Sequence, residues 1–282
     1  MKILRTKNAV KSFCLNLKLN KITIGFVPTM GALHQGHLDL IKKAKDNTGS
    51  VIVSIFVNPT QFNNIEDFEQ YPKSLHNDLE LLENIGVAAV FIPENQEIYP
   101  DKPILKIDFG LLEQRLEGAF RPGHFNGVGI VVSKLLNIVK PDKAFFGEKD
   151  LQQVAVIKRL VMDLSFDVEI VVVPTVRDKD GLALSSRNLR LNPVERNKAL
   201  TLFRMLSYAK SELFNGGAWL DILFHVKHEF SQISDVRLEY FELVHAEDMS
   251  KQDSFNIDIP LSICVAAYVG KVRLIDNIPV NH

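Results

Sequence analysis

Between residues 22 and 173, short apolar runs alternate with stretches of helical spacing, and this alternation restricts the fold more than any other feature of the chain. The runs 22–27, 50–56, 87–92, 143–146 and 167–173 read as strands, and most are too continuously apolar to leave one face in water. Residues 38–45, 75–84, 127–139 and 151–164 carry apolar side chains at a helical period. Strands alternating with helices predict right-handed crossovers and an α/β, Rossmann-like, doubly wound parallel sheet covered on both faces. Ligands of such sheets bind beyond the carboxyl ends of the strands. The basic, weakly amphipathic segment 1–20 predicts a short strand and a helix on the outside of this sheet.

The pattern changes after Pro174. Residues 175–190 are polar and turn-rich, so a boundary is expected near their start, giving domains 1–175 and 176–282. A helix from Asn192 or Pro193 to about 214, a second over 219–230, and strands over 238–244, 263–268 and 272–276 predict a smaller α+β domain. With 282 residues and 46% hydrophobic content, the chain can fill two cores. Its 33 Lys and Arg nearly cancel 34 Asp and Glu, so no general attraction to nucleic acid or membrane is expected and any anion site must be built locally. The apolar runs are too short to span a bilayer, and the first residues lack a signal-peptide core. Cys14 and Cys264 are single cysteines far apart, which fits a reducing, cytoplasmic compartment and makes zinc a weaker candidate than an anion.

Residues 26–40, Phe-Val-Pro-Thr-Met-Gly-Ala-Leu-His-Gln-Gly-His-Leu-Asp-Leu, run from a strand through a turn into a helix. The first amides of a helix are donors at the positive end of its dipole and favour an anion such as a triphosphate. Gly36 permits close approach of a phosphate or a base, and His34 and His37, three apart, share a face. The same histidines are equally readable as helix caps or half-buried side chains. Asn58 and Gln61 follow a strand directly, Arg121 and His124 precede a long helix, and Gly147-Glu148-Lys149-Asp150 joins a strand to a helix. Leu184-Ser185-Ser186-Arg187 is a hydroxyl-rich loop ending in a guanidinium, suited to phosphate oxygens. Gln61 and Gln153 can donate and accept, which suits a ligand with hydroxyls and a carboxylate. Each segment alone also reads as an ordinary surface turn, whereas their joint occurrence at strand ends points to one site.

The segments Pro-Thr-Met-Gly-Ala-Leu-His-Gln-Gly-His (28–37), Phe-Val-Asn-Pro-Thr-Gln-Phe (56–62), Glu-Gly-Ala-Phe-Arg-Pro-Gly-His-Phe (117–125), Phe-Gly-Glu-Lys-Asp-Leu-Gln-Gln (146–153) and Asp-Gly-Leu-Ala-Leu-Ser-Ser-Arg-Asn (180–188) closely resemble the pantothenate synthetase family. These are ATP-dependent ligases of the His-x-Gly-His nucleotidyltransferase superfamily that join pantoate to β-alanine. The resemblance implies ATP contacts from Met30, Gly31, Ala32, Leu33, His34, Gln35, Gly36, His37, Gly147, Glu148, Lys149, Asp150, Val176, Leu184, Ser185, Ser186 and Arg187. It implies that His34, His37, Lys149, Ser185, Ser186 and Arg187 act in catalysis, that Gln61 binds pantoate and β-alanine, and that Gln153 binds pantoate. Asn58, Arg121 and His124 are further candidate substrate residues. Thr60 stands where many relatives are expected to carry Met.

The implied reaction runs through pantoyl adenylate, with Mg2+ carried by the ATP phosphates, in a homodimer that binds neither nucleic acid nor membrane. The first domain then holds nucleotide and pantoate, and the second serves as a lid. Residues 177–188, rich in charge, are expected to be mobile until ATP orders them. The alternatives are another nucleotidyltransferase, an aminoacyl-tRNA synthetase, for which no tRNA-binding module is evident, or a nucleotide-binding module without turnover.

Overall fold

The computed structural model describes residues 1–281. The first elements are β1 (Lys2–Leu4), α1 (Lys7–Leu19), β2 (Ile24–Thr29), α2 (Gln35–Asn47), β3 (Ser50–Ile55), α3 (Ile65–Glu69), α4 (Leu75–Ile85), β4 (Ala89–Phe91), α5 (Asn95–Ile98), α6 (Leu116–Phe120), α7 (His124–Val139), β5 (Lys143–Gly147), α8 (Leu151–Asp163) and β6 (Glu169–Val173). The six strands form one parallel sheet in the order β1-β4-β3-β2-β5-β6. All six residues of β3 are buried, which explains why it is apolar on both faces apart from Ser50 and Ser54.

The order reverses at β2: the chain winds through β3 and β4 on one side, then through β5 and β6 on the other. β2 pairs with β3 over six residues but with β5 only at Gly25 and Phe26. Beyond Phe26 the β5 side of β2 is released, so Pro28 needs no ladder hydrogen bond there and the strand continues to Thr29. The sequence pattern ends this strand at 27 because a proline ordinarily breaks a central strand. The release also opens the carboxyl ends of β2 and β5, the switch point where such sheets hold ligands.

Contacts within the chain group it into two compact units, 1–148 with 156–174, and 149–155 with 175–282. In the first, Val27, Ile41, Val53, Leu82, Val90 and Phe145 are among the side chains of a core built on the sheet. The second holds α9 (Pro193–Phe214), α10 (Trp219–Ser231), β7 (Val236–His245), β8 (Leu261–Val269) and β9 (Val272–Pro279). Its strands form an antiparallel sheet, β7-β8-β9, whose core includes Leu202, Leu206, Trp219, Val226, Phe241 and Ile263. α9 begins with Pro193 at its first position, as expected, and is closed by a reciprocal cap between Asn192 and Glu195. The seven residues Lys149–Ala155, expected in the first domain, group with the second unit. Within that unit Asn277 Nδ2 donates to the Lys149 carbonyl at 2.9 Å. Among the described residues no helix is long and apolar enough to cross a membrane.

Candidate active site

Thr29 ends β2 by donating its hydroxyl to the Ser54 carbonyl at 2.8 Å, and the same oxygen accepts the Gly31 amide at 3.2 Å. The chain then takes the left-handed conformation twice, at Gly31 (φ 79°) and Ala32 (φ 49°). Glycine tolerates this; alanine does so only when its surroundings impose it. Here the restraint is Asp78, 1% exposed in α4. Its Oδ2 accepts the Ala32 amide at 2.9 Å, and its Oδ1 accepts the Leu33 amide and the Ser74 hydroxyl, each at 2.9 Å. A buried carboxylate thus fixes the turn that delivers the two histidines.

His34 is the N-cap of α2, just outside the helix, and His37 is its third residue. The His34 amide donates to His37 Nδ1 at 3.3 Å, and the ring centroids lie 4.0 Å apart. A neutral His37 with an accepting Nδ1 carries its proton on Nε2, which makes the far ring nitrogen a donor. No acidic side chain occupies the first turn of α2, so its positive end is not neutralised from within the helix.

Residues 59–61 form a single 3-10 turn after β3, and Gln61 is buried there. A side chain at Gly127 would put its Cβ 2.3 Å from the Thr60 carbonyl oxygen, so only glycine lets α7 lie against this turn. Gln61 Oε1 accepts from Asn58 Nδ2 at 3.0 Å, and Gln61 Nε2 lies 3.2 Å from the Met30 sulfur. Asn58, 1% exposed, also donates to the Gly127 carbonyl at 3.2 Å. Its Oδ1 accepts from the Tyr99 hydroxyl at 2.8 Å and from the Thr60 hydroxyl at 2.9 Å. Both N–H groups of this amide are therefore engaged within the protein, and its oxygen faces two hydroxyls that lie 3.2 Å apart. Asn58 thereby ties Gln61 to α7.

His124 begins α7 instead of preceding it, because Gly123 (φ 79°) turns the chain straight into the helix. The His124 ring is buried, with Nδ1 2.8 Å from the Gln61 carbonyl and Nε2 3.2 Å from Arg121 Nη1. Arginine only donates, so Nε2 accepts and Nδ1–H donates to Gln61. Arg121 pairs in turn with the buried Glu117 at 3.3 Å. These two candidate residues brace Gln61 from behind.

The remaining candidates Lys149, Asp150, Gln153, Val176 and Leu184–Arg187 lie in the second unit, while Gly147 ends β5 and Glu148 follows it. Lys149 Nζ is 3.9 Å from Asp150 Oδ1, and Gln153 is half-buried in α8. Residues 176–184 form a hairpin closed by Leu184 N–H to the Val176 carbonyl at 3.0 Å and by a bridge between Arg177 and Ala183. Arg177 grips the buried Asp276 through Nη1 and Nη2, at 2.6 and 2.9 Å, and donates to the Asn277 carbonyl at 2.8 Å. Its plane lies over the Phe203 ring at 4.2 Å. Burial pushes the Asp276 carboxyl up from its ordinary range, and Arg177 opposes that shift. Within 177–188, Arg177 is paired with Asp276, Asp178 and Asp180 are paired with Arg196, and Leu182, Ala183 and Ser186 are buried. Ser185 caps the short turn 186–190 by accepting the Arg187 amide at 3.3 Å, and Asn188 Nδ2 donates to the Ala183 carbonyl at 3.0 Å. Because Asn277 also holds Lys149, the end of β9 ties the Lys149 turn and the Ser-Ser-Arg hairpin to one point of this unit.

Asp78, Tyr99, Glu117, Asp276 and Asn277 were not legible as site residues in the sequence; each acts on a partner it does not adjoin, and none sits in a motif of its own except Glu117.

The model of the pantoate-beta-alanine ligase family matches residues 2–279. Pantothenate synthetase of Cytophaga hutchinsonii is 46% identical over 257 residues, 91% of each chain, and that of Thermotoga petrophila is 45% identical over 279 residues, 98% of this chain and 99% of the relative. Among solved structures, pantothenate synthetase of Thermus thermophilus is similar with a TM-score of 0.93, at 40% identity and over 100% of both chains. Pantoate-beta-alanine ligase of Francisella tularensis, complexed with beta-gamma ATP and beta-alanine, is similar with a TM-score of 0.84, at 40% identity, covering 99% of this chain and 98% of its own. The fixed turn before α2, the braced Gln61 and this match along nearly the whole length together establish that the chain belongs to the pantoate-beta-alanine ligase family.

Proposed function

We infer that this protein condenses pantoate with β-alanine at the expense of ATP, releasing AMP and pyrophosphate. The observation that carries the reading is the position of Gln61 Nε2 beside Met30, 3.2 Å from its sulfur. It sets a donor suited to an oxygen-rich acid next to the turn that ends in the His37 donor and the start of α2.

In the first step a pantoate carboxylate oxygen attacks the α-phosphorus of ATP and pyrophosphate leaves with the electrons of the broken P–O bond. A carboxylate is ionised at neutral pH and needs no general base. What the step needs is alignment and neutralisation of charge that builds on the phosphates. His37 Nε2–H and the first amides of α2 suit the phosphates, and Gln61 Nε2–H suits the acid. Lys149, Ser185, Ser186 and Arg187 are read as further phosphate partners, with Gly147, Glu148, Asp150, Val176 and Leu184 lining the nucleotide and Gln153 binding pantoate. In the second step the neutral amine of β-alanine attacks the acyl carbon and AMP departs. The second domain, 176–282, is assigned the part of a lid that keeps water from the mixed anhydride.

Mg2+ enters with ATP as part of the substrate, where it neutralises phosphate charge. The described residues contain no group of three or more His, Cys, Asp or Glu that could hold an ion. A homodimer in the cytoplasm completes the reading. Two buried, unbridged cysteines, Cys14 and Cys264, support the reducing compartment. AMP formation tested with pantoate and β-alanine together, and with each omitted, decides the function: AMP without pantoate, or none with both present, refutes it.

A further inference from the structure

The polarity of the Gln61 amide is not a free choice. An amide can present its oxygen or its nitrogen to a ligand, and only the surrounding partners decide which. The sequence of partners starts at the Gly127 carbonyl, which can only accept. It therefore holds Asn58 with Nδ2 toward α7, at 3.2 Å. The opposite end, Asn58 Oδ1, is left facing a pair of hydroxyl donors, Tyr99 at 2.8 Å and Thr60 at 2.9 Å, which lie 3.2 Å from each other. The remaining Nδ2 hydrogen points at Gln61 Oε1, at 3.0 Å, and so forces Gln61 to turn its NH2 group the other way. There it meets the Met30 sulfur, a weak acceptor that a substrate oxygen can outcompete. Asn58 is 1% exposed and Tyr99 6%, so water offers no ready substitute for any of these bonds. A phenol is protonated at neutral pH, and burial pushes that of Tyr99 further up, so its hydroxyl is a donor.

We propose that Tyr99 and Thr60 are positioning residues: their hydroxyls, acting through Asn58, lock the Gln61 amide as a hydrogen-bond donor and thereby set the site to take an oxyanion or hydroxyl oxygen of the acid substrate. Neither touches the substrate. The inference rests on the ligase reading given above for the identity of that acid, while the orientation of the amide stands on the hydrogen bonds alone. Losing both hydroxyls leaves Asn58 Oδ1 buried without a donor, so Asn58 shifts and Gln61 is freed to rotate. Either hydroxyl alone still satisfies one lone pair, so the single changes are milder than their combination.

The test compares wild type with Tyr99→Phe, Thr60→Val, the double variant and Thr60→Ser. The double variant is expected to raise KM for pantoate by about tenfold, equivalent to one lost hydrogen bond of roughly 1.4 kcal/mol, while KM for ATP stays within about twofold. Thr60→Ser, which keeps the hydroxyl, restores the wild-type KM. In parallel, the side-chain NH2 resonances of Gln61, identified by their loss in Gln61→Glu, are expected to be sharp and distinct in wild type and averaged by rotation in the double variant. An unchanged KM for pantoate, an equal loss of affinity for pantoate and ATP, or unchanged Gln61 resonances would overturn the proposal. Should wild type fail to use pantoate at all, the ligase reading falls, and the resonances still decide the orientation of the amide.

Discussion

Replacing Asp78 by Asn probes how the His34–His37 turn is held, because it changes one atom and removes one charge. Oδ1, which serves Leu33 and Ser74, can be kept as the amide oxygen. Oδ2, which accepts the Ala32 amide at 2.9 Å, becomes an NH2 group and sets donor against donor in a site 1% exposed. A hydrogen bond to a charged group contributes about 1.5–3 kcal/mol, and the stranded Ala32 N–H adds a desolvation cost of its own, so the loss is about 2–4 kcal/mol. For a domain of this size that corresponds to a Tm lower by roughly 5–15 °C. Ala32, at φ 49°, is then free to leave the left-handed region, and the turn relaxes. A displacement near 1 Å at a reacting group costs on the order of 10²-fold in rate, so AMP formation is expected to fall by about that factor. Ser74→Ala removes a neutral donor from the same carboxylate but leaves both backbone amides on it, and is expected to cost about 1.5–3 kcal/mol and little activity. Thermal unfolding and pyrophosphate release measured on both variants suffice. An Asp78→Asn protein with wild-type Tm and turnover would show that the carboxylate is not what imposes the turn.

His37→Ala is expected to lower kcat by roughly 10²–10³-fold, as loss of one preorganised donor does, with Tm nearly unchanged; a variant that unfolds or keeps full turnover places this ring elsewhere in the mechanism. Gln61→Ala should raise KM for pantoate and β-alanine by about tenfold, and calorimetry should find ATP affinity within about twofold of wild type. A sharp fall in ATP affinity would reassign the pocket. Arg177→Ala leaves the carboxylate of Asp276 buried without its partner and is expected to cost about 3–5 kcal/mol at neutral pH. The folded-state pKa of Asp276 is already raised and goes higher without the guanidinium, so the folded form takes up a proton first. Stability of this variant relative to wild type therefore recovers as pH falls through that raised pKa and is lost again as pH rises through it. Denaturant unfolding at neutral and acidic pH checks the sign.

The parallel sheet was legible because β3, with six buried residues, and the helices beside it obey simple periodicities. The segments around His37, Gln61, Lys149 and Ser185 were legible because each compresses its chemistry into a few adjacent residues. Asp78 was not, since its meaning lies in the amides of Ala32 and Leu33, 46 and 45 residues earlier, and an aspartate in the first turn of a helix reads as a dipole partner. Asn277 reaches Lys149 across 128 residues from a strand that carries no motif. At 177–188 composition cannot say whether charges face water or one another. The pairs of Arg177 with Asp276 and of Arg196 with Asp178 and Asp180 decide that question in space.

The reversal of strand order at β2 also bears on the order in which the protein can be made. A chain synthesised as far as residue 92 already contains β2, β3, β4 and the carboxylate of Asp78, so the turn before α2 can form early. The other flank of β2 is different: its partner β5 begins at Lys143, and the Ile24 amide waits for Asp142, 118 residues away, to accept it at 2.6 Å. Until the ribosome has released that stretch, β2 is an edge strand with apolar residues such as Phe26 uncovered on its faces, a state that invites pairing with another nascent chain. The switch point that gives the sheet its binding crevice is thus also a late seam of the sheet to close during translation, followed only by the pairing of β6 with β5.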